Sequence, residues 1–331
     1  MTVDAKILAA LRDEVSGVSG SELARHLGMT RAGVWRHIED LRALGYDIEA
    51  SPHLGYRLLA APDALHADDL SARLGKTRVV GRELHVFQET TSTNDVAARL
   101  ARGGAAEGAV VFAESQTKGR GRLGRTWISP AGKGLWFTVL LRPDIPPQET
   151  TQLTVAAATA LARAVTQQTG LVPDIKWPND ILIRGRKIAG ILTEMSAELD
   201  KVQEVLLGIG MNVNHESGDF PDALRKTATS LRIETGQKIN RAELAVAILR
   251  ELDRDYLMVV EGRFQRLAEQ WEERCTTLGC QVAIRLGDRV IRGRAESLDD
   301  DGALLVRGTH GHLERIVGGD VTVEKLIQPR K

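Results

Sequence analysis

The chain has 331 residues, 43% of them apolar and 27% charged, with 44 Lys and Arg set against 44 Asp and Glu. That length allows two or three domains with a sizeable core, and the even balance gives no global bias toward nucleic acid or a membrane surface. The start lacks the basic head, long apolar run and small-residue cleavage site of a signal peptide, the most apolar stretch, Leu153 to Val165, is too short to span a bilayer, and Cys275 and Cys280 are too few for a disulfide framework, so a bacterial-type cytoplasmic enzyme is expected.

Residues 1–60 read as a winged helix-turn-helix. A first helix covers Ala5 to Leu11. Ser21 is expected to cap a second, Glu22 to Leu27, and Gly28 makes the tight turn. Thr30 caps a third helix, Arg31 to Leu44, which Gly45 ends in a left-handed conformation. Val34, Ile38 and Leu41 recur at helical spacing and face a core, which turns Arg31, Trp35 and Arg36 outward. Short strands around Tyr46 to Glu49 and Gly55 to Leu58 flank a wing at Ala50-Ser51-Pro52-His53-Leu54. Seven Lys and Arg against eight Asp and Glu leave this segment without a basic footprint, so protein contact or oligomerisation stands beside DNA binding as its use. For DNA, Arg25, Arg31, Arg36 and Arg57 on one face would touch phosphates, and the start of the third helix would read bases.

After the break Ala60-Ala61-Pro62-Asp63, strands and helices mix up to about residue 270. Strand-like runs are Glu83 to Phe87, Ala109 to Glu114, Leu135 to Leu140, Asp174 to Trp177, Ile181 to Ile183, Lys187 to Thr193 and Val202 to Asn212. Helix-like runs are Asp95 to Arg102, Thr150 to Thr169 and a segment from Arg241 onward. The short connections among the later strands, including Arg184-Gly185-Arg186, predict an α+β domain with a mixed or antiparallel sheet and helices on one face. A second break near Trp271 to Gly279 leads to short strands with turns at Gly287-Asp288, Asp300-Asp301-Gly302 and Gly318-Gly319, the spacing of a small SH3-like β-barrel.

Four segments carry chemistry. Gly119-Arg120-Gly121-Arg122-Leu123-Gly124-Arg125-Thr126-Trp127 matches G-x-G-x-x-G literally, yet a second loop follows it where a dinucleotide fold needs a helix. Glycines free its backbone, and arginines bring fixed charge and bidentate donors, which suits an anionic ligand covered after entry. Lys176-Trp177-Pro178-Asn179-Asp180 ends a strand in a turn that these residue types explain by themselves. Gly190, Gly208 and Gly210 weaken consecutive strands and suggest a pocket floor, with Lys187 beside the turn. Thr90-Thr91-Ser92-Thr93-Asn94-Asp95 precedes a helix, where its hydroxyls either cap the helix or meet a ligand.

In this order, Ser92-Thr93-Asn94, Gly119-Arg120-Gly121-Arg122, Lys176 to Asp180, Lys187-Ile-Ala-Gly-Ile-Leu and Gly208-Ile-Gly-Met-Asn-Val-Asn resemble the biotin–protein ligase family over essentially the whole chain. With the winged helix, the resemblance is to its bifunctional members, which also repress a biotin operon. It implies a winged helix-turn-helix at 1–62, a class II synthetase-like ligase domain at 63–274 and an SH3-like barrel at 275–331. It also implies a biotin site of Ser92, Thr93, Asn94, Gln116, Gly119, Arg120, Gly121, Arg122, Lys187 and Gly190. Positions around ATP or the adenylate would be Arg122, Trp127, Lys176, Asn179, Asp180 and Asn212, with Arg120 and Lys187 catalytic. Ser21, Thr30, Arg31, Trp35 and Arg36 would meet operator DNA.

The implied substrates are biotin and ATP with Mg²⁺, and the partners are a biotin carrier protein's lysine, operator DNA and a second copy of the chain. Two anions must meet when a carboxylate attacks the α-phosphorus, so cations are needed and no nucleophilic side chain is. Three features depart from the pattern of the family's bifunctional repressors: Trp35 on the recognition face, the segment Lys226 to Leu231, which matches one branch of the family but has no aromatic to stack on adenine, and a C-terminal part only loosely similar past Gly318-Gly319-Asp320. A lipoate–protein ligase, a ligand sensor without turnover and a ligase whose winged helix no longer binds DNA are the competing readings. Lys176 to Asp180 speaks against the first, and intact Arg120, Arg122 and Lys187 against the second.

Overall fold

The computed structural model describes residues 1–198 and 201–323. Its first unit packs α1 (Val3–Asp13), α2 (Gly20–Leu27) and α3 (Arg31–Ala43) beside the hairpin β1 (Asp47–Ser51) and β2 (Gly55–Ala60). Ser19 caps α2, its hydroxyl accepting from Glu22 N at 3.0 Å; Ser21, expected there, lies inside the helix and faces solvent. The displacement has a local cause, because Ser19 is the last residue with extended backbone before the helix begins. Thr30 caps α3 as expected, and Gly28 takes a left-handed turn at φ +66°. Val34, Ile38 and Leu41 close a core with Ile7, Leu8 and Leu11. Val18 exchanges both backbone hydrogen bonds with Tyr56, which fastens the wing to the α1–α2 connection.

Helix α4 (Ala67–Leu74), missed in the sequence because it has barely two turns, bridges the first unit and the rest. Leu70 and Leu74 enter the large core, while Ala72 packs against the winged-helix core.

The large unit runs β3 (Glu83–Thr90), α5 (Thr93–Arg102), β4 (Ala109–Gln116), β5 (Gly134–Leu141), α6 (Thr151–Thr169), β6 (Asp174–Lys176), β7 (Asp180–Ile183), β8 (Arg186–Glu198) and β9 (Lys201–Asn212). It ends with α7 (Leu231–Thr235), α8 (Arg241–Val260) and α9 (Gln265–Glu272). Its seven strands lie in the order β3-β4-β5-β9-β8-β7-β6, with β3 and β4 parallel and every other neighbour antiparallel, so the sheet is mixed. A two-residue turn at Arg184 (φ +51°) and Gly185 (φ +74°) joins β7 to β8, the backbone that suits a tight hairpin.

Helices cover both faces of this sheet, not one. Central strand β5 is buried throughout: Leu135, Phe137, Val139 and Leu141 face α6 and α8, and Leu140 joins Val96, Ala97 and Ala101 of α5 on the other side. A nearly continuous apolar run such as Leu135–Leu140, broken only by Thr138, records burial on both faces but not which helix provides it. Helix α5 spans only part of its face, and the uncovered remainder becomes the site.

Strands β10 (Gln281–Leu286), β11 (Arg289–Leu298), β12 (Leu304–Gly308), β13 (Leu313–Ile316) and β14 (Asp320–Val323) form a C-terminal antiparallel sheet in the order β13-β12-β11-β10-β14. Among the described residues its edge strands β13 and β14 do not pair, so it is an open five-stranded sheet, and the last part of the expected 275–331 unit lies outside those residues. Val282, Ile284, Leu304 and Val306 continue the large unit's core. No helix among the described residues is long and apolar enough to cross a membrane.

Candidate active site

The uncovered part of the sheet face is a cavity of about 480 Å³. Strand alternation builds its floor. In β9, Val205, Leu207, Ile209 and Met211 point into the main core, which turns Gly208 and Gly210 to the cavity. Both positions need a missing side chain: a Cβ on Gly208 would lie 2.5 Å from Asn94 Oδ1, and one on Gly210 would lie 2.6 Å from Trp127 Nε1.

A β-bulge in β8 sets the next wall. Ile181 pairs with Ala189 but Leu182 pairs with Lys187, so Ile188 is the extra residue. Ile188 and Ala189 both enter the core, and Lys187 and Gly190, three apart, come to line the same cavity. Lys187 Nζ lies 2.5 Å from Asp180 Oδ1 and 5.1 Å from the centre of the Trp127 ring.

At the other end, Ser92, Thr93 and Asn94 are buried at the start of α5. The Ser92 side chain makes no capping hydrogen bond although Ser92 is the cap residue, so capping does not account for its hydroxyl. Gln116 Oε1 accepts from Thr93 N at 2.8 Å, and Gln116 Nε2 donates to Ser129 Oγ at 2.9 Å. The Asn94 carboxamide is held from both sides: Thr138 Oγ1 bonds to its Oδ1 at 2.5 Å, and its Nδ2 donates to Glu194 at 2.8 Å. Ser92, Thr93, Asn94 and Gln116 give this end of the cavity a neutral, hydrogen-bonding wall, with the Glu194 carboxylate outside the lining.

The arginine-glycine loop crosses the cavity. Trp127 N donates to Gly119 O and Gly121 N to Arg125 O, so the loop is a tight excursion with exposed Leu123 at its tip, in the left-handed region at φ +56°. Its arginines have three different anchors. Arg120 pairs with Asp95 at 2.8 Å, Arg122 donates to Asn179 Oδ1 at 3.3 Å, and Arg125 pairs with Asp320 on β14. Burial works against the Arg120 charge, yet Asp95 and Glu194 carry its pKa above the ordinary value. Arg122 goes the other way, because burial lowers it more than the fields of Asp180 and Asp320 raise it.

Of the residues expected from sequence, Ser92, Thr93, Asn94, Gln116, Arg120, Gly121, Arg122, Trp127, Lys176, Asn179, Asp180, Lys187, Gly190 and Asn212 all line this one cavity. Gly119 does not. It is packed behind the loop, where a Cβ would lie 2.4 Å from the Trp127 carbonyl oxygen. Asn212 is buried and also donates to Thr229 O at 3.1 Å.

Sequence reasoning missed the part of the wall formed after β9 by His215, Asp219, Phe220 and Leu224; Thr227 and Ala228, which complete it, lie in the segment Lys226 to Leu231 already singled out beside adenine. His215 stacks on Phe220, with centroids 5.0 Å apart at 20°, and meets the edge of Trp136 at 5.9 Å. Among the described residues its Nδ1 is buried without a partner, and burial lowers its pKa to about 4 against the opposing field of Asp219. Nothing in the run Asn214-His215-Glu216 signals this, since the segment has no periodicity and is placed by tertiary packing. Among the described residues, no group of three or more His, Cys, Asp or Glu side chains forms a metal cage.

On the winged helix, Arg31, Trp35 and Arg36 are exposed along α3, with Ser21 and Thr30 exposed nearby. Arg57 instead pairs with Glu49 across the hairpin at 2.9 Å, so it does not stand free beside them.

Residues 86–212 match the biotin/lipoate A/B protein ligase family, residues 4–57 an HTH domain, and residues 277–323 the biotin protein ligase C terminal domain. The bifunctional ligase/repressor BirA of Bacillus spizizenii is 42% identical over 304 residues, covering 92% of this chain and 93% of that protein. The biotin–[acetyl-CoA-carboxylase] ligase of Mycobacterium tuberculosis is 35% identical over 246 residues, covering 72% and 88%. The structure of the Aquifex aeolicus biotin protein ligase in complex with biotin and ATP superposes with a TM-score of 0.63 at 29% identity, covering 74% of this chain and 99% of that one. The chain belongs to the biotin–protein ligase family. Within that family it has the helix-turn-helix and ligase parts together, as its bifunctional ligase/repressor relatives do over nearly their whole length.

Proposed function

We propose that the chain joins biotin to the AMP part of ATP as biotinyl-adenylate with release of pyrophosphate, passes the biotin to a lysine of a carrier protein such as that of acetyl-CoA carboxylase, and represses transcription when the adenylate is bound. It is an ATP-dependent biotin–protein ligase with a helix-turn-helix repressor domain. The observation that carries the reading is one cavity with an uncharged hydrogen-bonding end at Ser92, Thr93 and Gln116 and two cations, Arg122 and Lys187, beyond it. The uncharged end fits the polar head of biotin, and Ser92 has an uncommitted hydroxyl to offer. Arg122 and Lys187 meet the carboxylate and the α-phosphate and stabilise the charge that grows on the phosphoryl oxygens during attack. Arg120, which the sequence also marks as catalytic, is matched by two carboxylates and is better read as a loop anchor.

Trp127 and the loop shut the mixed anhydride from water until an incoming amine attacks the acyl carbon and AMP leaves. Trp127, Lys176, Asn179, Asp180 and Asn212 surround the nucleotide part, with Gly190 letting the ligand approach the sheet. Mg²⁺ supplies further neutralisation of the phosphates when bound. A carboxylate or two plus substrate phosphates is its usual donor set, and Asp180 in the cavity fits that requirement.

The test is biotin-dependent exchange of labelled pyrophosphate into ATP, with lipoate as control. Exchange with biotin alone supports the reading, and exchange with lipoate moves the chain to the sister activity. The domain limits are taken as 1–62, 63–274 and 275–331, the second as class II synthetase-like and the third as an SH3-like barrel. In the repressor role, Arg31, Trp35 and Arg36, with Ser21 and Thr30 beside them, face operator DNA. The adenylate-bound form pairs through the central sheet to reach a palindromic site in the cytoplasm. Sedimentation with biotin and ATP tests that pairing, and a monomer at micromolar protein with and without ligands defeats it.

A further inference from the structure

Each of the loop's three arginines is fastened differently. Arg125 pairs with Asp320, and among the described residues Arg122 has only the neutral Asn179 carboxamide within hydrogen-bonding distance. Arg120 lies between two carboxylates from separate elements, Asp95 Oδ1 of α5 at 2.8 Å and Glu194 Oε2 of β8 at 3.6 Å. Each carboxylate is also held by a second side chain. Thr91 Oγ1 donates to Asp95 Oδ2 at 2.9 Å, and Asn94 Nδ2 donates to the same Glu194 oxygen at 2.8 Å. We propose that Asp95 and Glu194 are positioning residues that hold the arginine-glycine loop closed through Arg120, and so set how long activated biotin stays in the site.

This rests on the ligase reading. A guanidinium already matched by two carboxylates adds no net positive charge to a phosphoryl transfer, whereas Arg122 keeps its charge for the ligand. Isolated exposed ion pairs hold little, because two long side chains must be ordered for one contact. Here Thr91 and Asn94 also hold the acids, so less freedom is lost when Arg120 docks. Asn94 also ties the clamp to the wall of the uncharged end, since Thr138 bonds to both Asn94 and Thr93. A ligand that settles this wall therefore settles the seat of Arg120 as well.

Asp95→Asn with Glu194→Gln keeps an acceptor for Thr91 and Asn94 and removes only the charges facing Arg120. Labelled biotinyl-adenylate is formed on the full-length chain from labelled biotin and ATP, chased with unlabelled biotin, and its loss is followed over time. The double variant is expected to lose adenylate roughly fivefold to twentyfold faster, with a near-unchanged melting temperature. In an Arg120→Met background the same two changes are expected to add nothing, because they act through that arginine. Wild-type retention by the folded double variant overturns the clamp, as does a full additive effect in the Arg120→Met background. A wild-type chain that forms no adenylate at all overturns the ligase reading instead, and the clamp with it.

Discussion

Gly210 and Trp127 share one space: a Cβ on Gly210 would lie 2.6 Å from the indole nitrogen, which is buried with no hydrogen-bond partner among the described residues. The indole closes down on backbone that only glycine leaves open. Gly210→Ala is therefore expected to expel Trp127 from the cavity while the strand survives. Pyrophosphate exchange should fall at least tenfold, about 1.4 kcal/mol of transition-state stabilisation. Trp127 should become more exposed to an aqueous quencher. Wild-type exchange with wild-type quenching would show that the contact has no role in closure.

This pairing also marks the limit of what the sequence reveals. Gly190, Gly208 and Gly210 are legible as a floor because glycine in a strand asks for an explanation, but the residue that fills the space is fixed only by the fold. Lys187 and Gly190 stand three apart, which in a regular strand puts them on opposite faces, and the bulge at Ile188 that reunites them leaves no mark on the pattern. The core of α1 to α3 and the cap of α3 are legible, since local hydrogen bonding and periodicity decide them, while the cap of α2 slips two residues from Ser21 to Ser19 and the Thr2 cap of α1 goes unread. His215 and Phe220 are not, because a loop with no period is positioned entirely by what it packs on. The placing of helices on both sheet faces was equally hidden, for Leu140 and Val139 look alike until α5 is docked.

Lys187 and Asp180 are expected to act as a coupled pair. Their 2.5 Å contact means that Lys187→Met removes a cation and also frees a carboxylate beside the phosphates. Exchange should fall by about 10²–10³, the usual effect of losing one preorganised stabilising group. Adding Asp180→Asn removes the freed charge together with the carboxylate that fits Mg²⁺, so the double variant should lose less than the two single losses combined. Strictly additive losses in steady-state kinetics would mean that the two residues work separately.

His215 makes the fold sensitive to acid. Its pKa is lowered to about 4 from an ordinary 6.5, with burial as the main cause. The unfolded chain therefore takes up this proton first as the pH falls. The contribution is complete above about pH 6.5 and is lost progressively down to about pH 4, amounting to ~2 kcal/mol already at pH 5. His215→Phe keeps an aromatic ring against Phe220 and removes the titration. Urea unfolding at pH 7.5 and pH 5.0 should show a smaller difference in the variant than in the wild type. Equal differences would assign the acid sensitivity to other groups.

Asp69 joins the winged helix to the ligase part. Its carboxylate is nearly inaccessible and binds Arg12 of α1 at 2.5 Å and Arg73 of its own helix at 3.0 Å; Arg73 then reaches Glu243 of α8 at 3.3 Å. Leu70 and Leu74 of the same helix are inside the large core, and Ala72 packs on the winged-helix core, so α4 is shared by the two units. Removing one member of a buried pair costs about 3–5 kcal/mol because the remaining charge is left unpaired. Arg12 is partly exposed, so the lower end applies to Asp69→Asn. The loss falls on the joint and not on either core. Calorimetry should resolve the winged helix as a separate, earlier transition, and protease should cut faster between Ala60 and His66. Pyrophosphate exchange should persist, because Asp69 lies outside the cavity. A single transition at the wild-type temperature would mean that the apolar contacts of α4 suffice, and that the pose of the winged helix does not depend on this carboxylate.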